Sequence, residues 1–211
     1  MVHNPYYTLV GQRLCQHDHS FKVTFQYSLW DLLREMGATD VGGMEKVKGG
    51  QVIGLDDGID SGNGSKKVAL RRIVNLSRMY AFLITSQDLS LVMLKTVTFT
   101  SLPTQPTLFF QLLMTNIILS SQPQIHSPHQ QKQDAAAASK EKPKMNAQAL
   151  ADIFIRAAVN PTLAQGIIFF LQAFVKKGQV CQNEREKETV KWACSTVREV
   201  LQGAVNTGGR F

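Results

Sequence analysis

The segment CQHDH (residues 15–19) places Cys15 and His19 four residues apart, a spacing at which two side chains share one helical face. A thiolate and an imidazole in this arrangement could provide two of the ligands of a zinc ion. A zinc site needs a second pair, but Cys181 and Cys194 are widely spaced and have no histidine near them. We therefore expect no metal site here, only exposed histidines beside a semi-buried cysteine.

The acidic, glycine-rich segment DDGIDSGNG (residues 56–64) is similar in composition to a calcium-binding loop. It lacks the ordered run of Asp and Asn ligands and the glutamate that closes such a loop. The chain also has no phosphate-binding GK[ST] sequence, no G-x-S-x-G nucleophile elbow and no H-E-x-x-H pair. The sequence therefore predicts a protein that is not an enzyme and that needs no cofactor.

A cluster of cations is the remaining feature that could carry chemistry, and it lies at the start and along the exposed side of a predicted helix. Its members are Lys66, Lys67, Arg71, Arg72 and Arg78. Such groups bind phosphate oxygens or acidic protein grooves. An ordinary solvated helix face shows the same pattern, and the sequence leaves both interpretations open. Aromatic residues are not interleaved with these charges, so stacking of nucleic-acid bases on this helix is not expected.

Charge is unevenly distributed along the 211 residues. The formal net charge is +7, yet residues 1–65 hold 5 Lys and Arg against 8 Asp and Glu, whereas residues 66–126 hold 6 against 1. Residues 127–211 hold 12 against 7. A positive middle and C-terminal part suits an anionic partner such as RNA, although soluble proteins commonly carry this much charge. Three cysteines are too few for a disulfide framework, which favours a reducing compartment. No apolar run is long enough to span a membrane, so no membrane partner is expected.

Hydrophobic periodicity predicts that helices position these residues. In SLWDLLREMG (residues 28–37) the apolar residues recur at helical spacing, and Gly37 is placed to end the helix. Asp88 is expected to cap a short helix, and residues 108–121 are apolar on nearly all sides, which is typical of a helix between two neighbours. The first helix begins near Pro5, and its apolar stripe consists of Tyr6, Leu9, Val10 and Leu14.

Strand-like alternation is nearly absent, so the predicted fold class is all-α, with stacked antiparallel helix pairs as in HEAT-like helical repeats. Residues 38–65 contain eight glycines and are predicted to be a flexible insertion. Residues 122–144 are rich in Gln, Pro, Ala and Lys, which predicts a disordered linker. We expect one helical domain over residues 1–121 and a C-terminal helical region over residues 145–211.

Several segments, taken in order, resemble one known family. HNPYYTLVGQRLCQHDHSFKVTFQYSLWDLLREMG and RRIVNLSRMYAFLITSQDLSLVMLKTVTFTSL are similar to the MI domain of the nucleolar proteins that also carry a middle-of-4G helical-repeat domain. NPTLAQGIIFFLQAFVKKG and VKWACSTVREVL are similar to the C-terminal part of the same family. The family is known in yeast as suppressor of glycerol defect. The matched regions are roughly residues 3–37, 66–121 and 147–201.

The resemblance implies a HEAT-like fold without catalytic residues and a nucleolar scaffold for small ribosomal subunit assembly. It also implies that residues 1–121 are an MI domain lacking its first helices, which would leave Tyr6, Leu9 and Val10 as exposed apolar surface. The expected partners are pre-ribosomal assembly factors. The family is similar to initiation-factor scaffolds that engage a DEAD-box RNA helicase, but the middle-of-4G domain, the expected main helicase-binding part, is not among the matched segments.

Three functional interpretations follow. The first is a protein-interaction scaffold in pre-rRNA processing. The second is direct RNA binding by the basic helix, residues 66–78. The third keeps the MI domain but places it in splicing or translation, because a fold does not by itself determine a function.

The RNA-binding interpretation predicts a steep salt dependence of RNA affinity, because bound phosphates release counterions. Neutralising Lys67, Arg71 and Arg78 together should lower the slope of log affinity against log salt by up to about three. The measurement is RNA binding across a salt series, and an unchanged slope would remove these residues from any RNA contact.

Overall fold

The structure is a computed structural model that describes residues 4–39, 41–42, 68–122 and 145–206. These residues form α-helices joined by turns, and no strand occurs among them. The helices are α1 (Pro5–His17), α2 (His19–Glu35), α3 (Leu70–Thr85), α4 (Thr104–Ser120), α5 (Ala147–Phe154), α6 (Pro161–Phe170) and α7 (Glu184–Asn206). The all-α prediction is confirmed, and the helices pack in pairs as in a helical repeat. The predicted insertion and linker lie outside the described residues from residue 43 to 65 and from 123 to 144.

A single residue, Asp18, separates the first two helices. Its backbone N–H donates to the Leu14 carbonyl at 3.2 Å and ends α1, while its carboxylate accepts from the Ser20 N–H at 2.7 Å and begins α2. The expectation that Cys15 and His19 share one helical face is therefore wrong, because they lie on different helices. His19 is exposed, as predicted, whereas Cys15 is fully buried rather than semi-buried.

Other helix ends follow local sequence chemistry. Gly37, two residues beyond the end of α2, has a φ of 96°. The Gly37 N–H donates to the Arg34 carbonyl and the Ala38 N–H to the Leu33 carbonyl, a Schellman motif that favours glycine. The side chains of Asn146 and Asn160 cap the starts of α5 and α6.

The predicted helix start at Asp88 is wrong. Only a 3₁₀ turn, Leu91–Leu94, follows, and it is Ser90 that accepts from its first N–H groups. The Asp88 side chain is buried and is occupied by other partners. Nε1 of Trp30 donates to the Met93 carbonyl at 3.2 Å, and this bond joins α2 to the 3₁₀ turn.

Helix α4 lies at the centre of the molecule, because it packs against α3 on one side and α7 on another. This confirms the prediction of neighbours on both sides. A cluster of three aromatic rings connects α4 with α6: the centroid of the Phe99 ring lies 5.2 Å from that of Phe110 and 5.5 Å from that of Phe170. One continuous hydrophobic core therefore contains residues from both sides of the segment 123–144.

Two glutamine side chains bind the backbone near the points where the described chain resumes, at Val68 and at Asn146. Gln105 accepts from the Val68 N–H at 3.3 Å and donates to the Val68 carbonyl at 3.0 Å. Gln122 makes the same pair of bonds with Asn146, at 2.7 and 3.2 Å. A primary amide has one acceptor and two donors, so it can replace the partner peptide group that a helix or sheet would otherwise supply. The backbone at Val68 and at Asn146 is thus held in place by side-chain hydrogen bonds and not by a helix or sheet.

Replacing Gln122 by Ala should lower the free energy of unfolding by about 1–3 kcal/mol, because two backbone groups at Asn146 lose their partners in a partly buried setting. The matched control is Gln202→Ala, at an exposed position on α7, where a change within about 0.5 kcal/mol is expected. Urea denaturation of the two variants measures the difference. Equal stabilities would show that the Gln122 amide does not hold this junction.

Candidate interaction surface

Helix α1 has an inverted distribution of side chains. Its buried side consists of the small residues Thr8, Gly11 and Cys15. Its exposed large apolar residues, called here the outer apolar face, are Tyr6, Tyr7, Leu9, Val10 and Leu14. Tyr6 is 65% exposed and Tyr7 is 71% exposed. The predicted exposure of Tyr6, Leu9 and Val10 is therefore confirmed.

The inversion results from the close approach of α1 to α2 and α3. A Cβ atom on Gly11 would lie 3.2 Å from Cζ of Phe25 and 3.8 Å from Cδ1 of Leu83. Phe25 is held in turn by Tyr80, whose hydroxyl donates to the Phe25 carbonyl at 2.9 Å. A side chain at Gly11 would have to displace the Phe25 ring, and only small residues lie on this side of α1, whereas its larger apolar residues lie on the sides that face solvent.

The buried carboxylate of Asp88 ties α1 to the end of α3. It accepts from Nε2 of Gln12 at 3.0 Å and from Nε2 of Gln16 at 3.1 Å, and it also accepts from the Ser86 hydroxyl. Gln12 and Gln16 are one helical turn apart, so both reach the same carboxylate. This network fixes the rotation of α1 about its axis and therefore fixes which residues form the outer apolar face.

The predicted cation cluster is only partly described. Lys66 and Lys67 lie outside the described residues, while Arg71, Arg72 and Arg78 are exposed on α3. Nη1 of Arg72 forms an ion pair with Glu35 on α2 at 2.7 Å. Arg71 and Arg78 are seven residues apart, which is about two helical turns, so they point to a similar side of α3.

A groove of about 510 Å³ lies between α1, α3, α4 and the start of α7. Its walls include Leu9 from α1, Arg78 and Phe82 from α3, and Glu186 from α7. Leu112 and Leu119 of α4 also line it, with other residues of these helices and of the segment just before α7. The sequence prediction included Arg78 but missed Phe82 and Glu186, and no local signal in the sequence identifies them, because the groove brings together distant parts of the chain.

The buried titratable groups are not suited to nucleophilic chemistry. Burial raises the pKa of the Cys15 thiol, and the nearby Asp88 carboxylate raises it further. Burial also raises the pKa of Cys194 to about 12, so both thiols are protonated and poorly nucleophilic near neutral pH. Within the described ranges, no group of three or more His, Cys, Asp or Glu residues could hold a metal ion. None of the helices in these ranges has the length and apolar character required to cross a membrane.

The chain is distantly homologous to three curated proteins. It is 24% identical over 185 residues to Suppressor of glycerol defect protein 1 of Schizosaccharomyces pombe, a match that covers 88% of this chain. It is 21% identical over 206 residues to the human protein named Nucleolar MIF4G domain-containing protein 1, and equally to that of Mus musculus. These matches cover 96% of this chain. The chain spans 18% of the length of each relative.

No family model matches the chain. No solved structure matches it either. The homology supports the predicted resemblance to the proteins of the suppressor of glycerol defect type, at the level of a MIF4G-like family. The assignment of an MI domain, and of its missing first helices, stays a prediction.

Proposed function

We propose that this chain is a non-catalytic scaffold module that acts in the nucleolus through protein contacts, within small ribosomal subunit biogenesis and pre-rRNA processing. The observation that carries the proposal is the outer apolar face of α1. The names of the relatives support the compartment, since two of them are nucleolar proteins by name. The resemblance of the ordered sequence segments to the same family supports the process.

The outer apolar face has the composition of a protein-binding surface. Tyr6 and Tyr7 form an edge-to-face pair with ring centroids 6.4 Å apart. Tyrosine is enriched at protein interfaces, because it buries a large area with few rotatable bonds. Helix α1 carries no acidic residue, and Arg13 is its only Lys or Arg. Apolar side chains that share one face of a helix mark an interaction site more often than scattered ones do.

We further propose that residues 1–121 form an MI domain, as the resemblance implies, and that pre-ribosomal assembly factors are its partners. A DEAD-box RNA helicase is a further proposed partner, by analogy with initiation-factor scaffolds. The absence of nucleophile, phosphate-loop and zinc-protease motifs from the sequence agrees with a module that has no chemistry of its own.

Direct RNA binding is the second candidate function. It is favoured by the exposure of Arg71 and Arg78 on a similar side of α3. Its test is the salt dependence of RNA affinity in variants of these two arginines. Lys191→Gln with Arg198→Gln is a matched control, because these two cations are also seven residues apart and exposed, on α7.

The scaffold proposal is tested by affinity purification of the whole chain with and without RNase, followed by mass spectrometry. We expect small-subunit assembly factors to remain bound after RNase treatment. The variant Tyr6→Ser with Val10→Ser should lose them, because it removes apolar area from the outer face without touching the core. The control Leu70→Ser with Val159→Ser removes two exposed apolar side chains elsewhere and should retain them.

Thermal unfolding should be the same for the wild type and both double variants, since all four positions are exposed. Recovery of assembly factors that disappears with RNase would contradict the scaffold proposal and favour RNA as the primary ligand. Equal recovery by the two double variants would show that the outer apolar face is not the binding surface.

A further inference from the structure

We propose that the groove between α1, α3, α4 and the start of α7 binds an apolar peptide segment of a partner protein, and that an Asp or Glu side chain of this segment pairs with Arg78. This inference rests on the proposed scaffold function and names the chemistry of one partner contact. The groove is distinct from most of the outer apolar face, and only Leu9 contributes to both surfaces.

The apolar part of the site includes two exposed side chains on different helices. Leu9 of α1 is 51% exposed and Phe82 of α3 is 38% exposed, and both line the groove. Leu112 and Leu119 of α4 provide further apolar lining. The volume of about 510 Å³ lies within the range of about 300–1,000 Å³ that is usual for ligand pockets. The groove can therefore accept one or two apolar side chains of a bound peptide.

The charge of the site comes from Arg78, four residues before Phe82 and thus one helical turn away. Within the described part of the chain, Arg78 is exposed and its guanidinium forms neither a hydrogen bond nor an ion pair. Arg34 and Arg72, in contrast, are paired with Asp31 and Glu35. A guanidinium binds a carboxylate through two parallel hydrogen bonds, so a peptide carboxylate is the complementary group.

Glu186, which lines the groove from α7, determines the direction of binding. Glu186 accepts from the Gln182 N–H at 2.7 Å and from Nδ2 of Asn183 at 3.1 Å, while its own N–H donates to Asn183 Oδ1 at 2.8 Å. These bonds hold its negative charge at the start of α7. A peptide carboxylate is therefore repelled from this end and placed beside Arg78. A polyanion such as RNA would meet Glu186 as well, so the groove favours a peptide with a single carboxylate.

The test uses a phage-displayed library of random peptides, selected on the whole chain, with the enriched peptides resynthesised for calorimetric titration. We expect enriched peptides to combine an Asp or Glu with Leu, Ile, Phe or Met. Arg78→Gln should weaken binding about threefold, as is typical of an exposed ion pair. Leu9→Ser with Phe82→Ser should weaken it about tenfold or more, because the apolar contact area is lost. Arg198→Gln, at an exposed arginine of α7 that does not line the groove, is the matched control and should leave affinity unchanged.

Salt separates the ionic contact from a structural effect. Added salt should weaken peptide binding to the wild type and to Arg78→Lys, and should have little effect on Arg78→Gln. The thermal unfolding midpoint of each variant checks that it is folded. The proposal is overturned if no peptide is enriched, or if the enriched peptides bind Arg78→Gln and the Leu9/Phe82 double variant as tightly as the wild type. RNA binding that is weakened equally by Arg71→Gln and Arg78→Gln would assign this side of α3 to RNA instead.

The two proposals fail in different ways. If assembly factors still bind the chain after RNase but are retained equally by Arg78→Gln and by the Leu9/Phe82 double variant, the groove proposal falls and the scaffold function stands. If no assembly factor survives RNase, the scaffold function falls.

Discussion

The close contact between α1 and the helices beneath it determines how this protein presents its surface. A Cβ atom at Gly11 would crowd the tip of the Phe25 ring, at 3.2 Å, and Thr8 and Cys15 continue the same small, buried side. A helix whose inner side is this small buries little apolar area of its own, so packing alone stabilises its position weakly. The Asp88 carboxylate compensates with hydrogen bonds to two glutamines of α1. The hydrogen bonds to Asp88 thus determine the orientation of α1, which in most helices is determined by apolar packing.

This orientation produces two neighbouring surfaces from one helix. The outer apolar face points away from the core, and the edge that carries Leu9 forms a wall of the groove next to Arg78 and Phe82. Because α3 and α4 pack at the centre and α7 packs against α4, the far side of the groove is built from the C-terminal part of the chain. The continuous core therefore fixes the position of the C-terminal wall of the groove relative to its N-terminal walls, although residues 123–144 separate them in sequence.

The features that were predictable from sequence depend on nearby residues. Gly37 ends a helix through its own φ angle, and Asn146 and Asn160 cap helices through bonds to residues three positions later. The features that were not predictable depend on distant contacts. Asp88 has the local pattern of a helix cap, yet its partners Gln12 and Gln16 are 76 and 72 residues away. Periodicity identifies the apolar stripe of α1. Whether that stripe faces the core or solvent depends on the space left by the neighbouring helices, and the sequence of α1 alone does not determine this.

The most direct test of this account is hydroxyl-radical footprinting of the tyrosines in the isolated chain. Tyr6 and Tyr7 are 65% and 71% exposed, whereas Tyr80 is 2% exposed and its hydroxyl is bonded to the Phe25 carbonyl. The account predicts rapid modification of Tyr6 and Tyr7, intermediate modification of the half-exposed Tyr27, and protection of Tyr80. Protection of Tyr6 and Tyr7 to the level of Tyr80 would contradict it, because α1 would then turn its large apolar residues inward or have them covered.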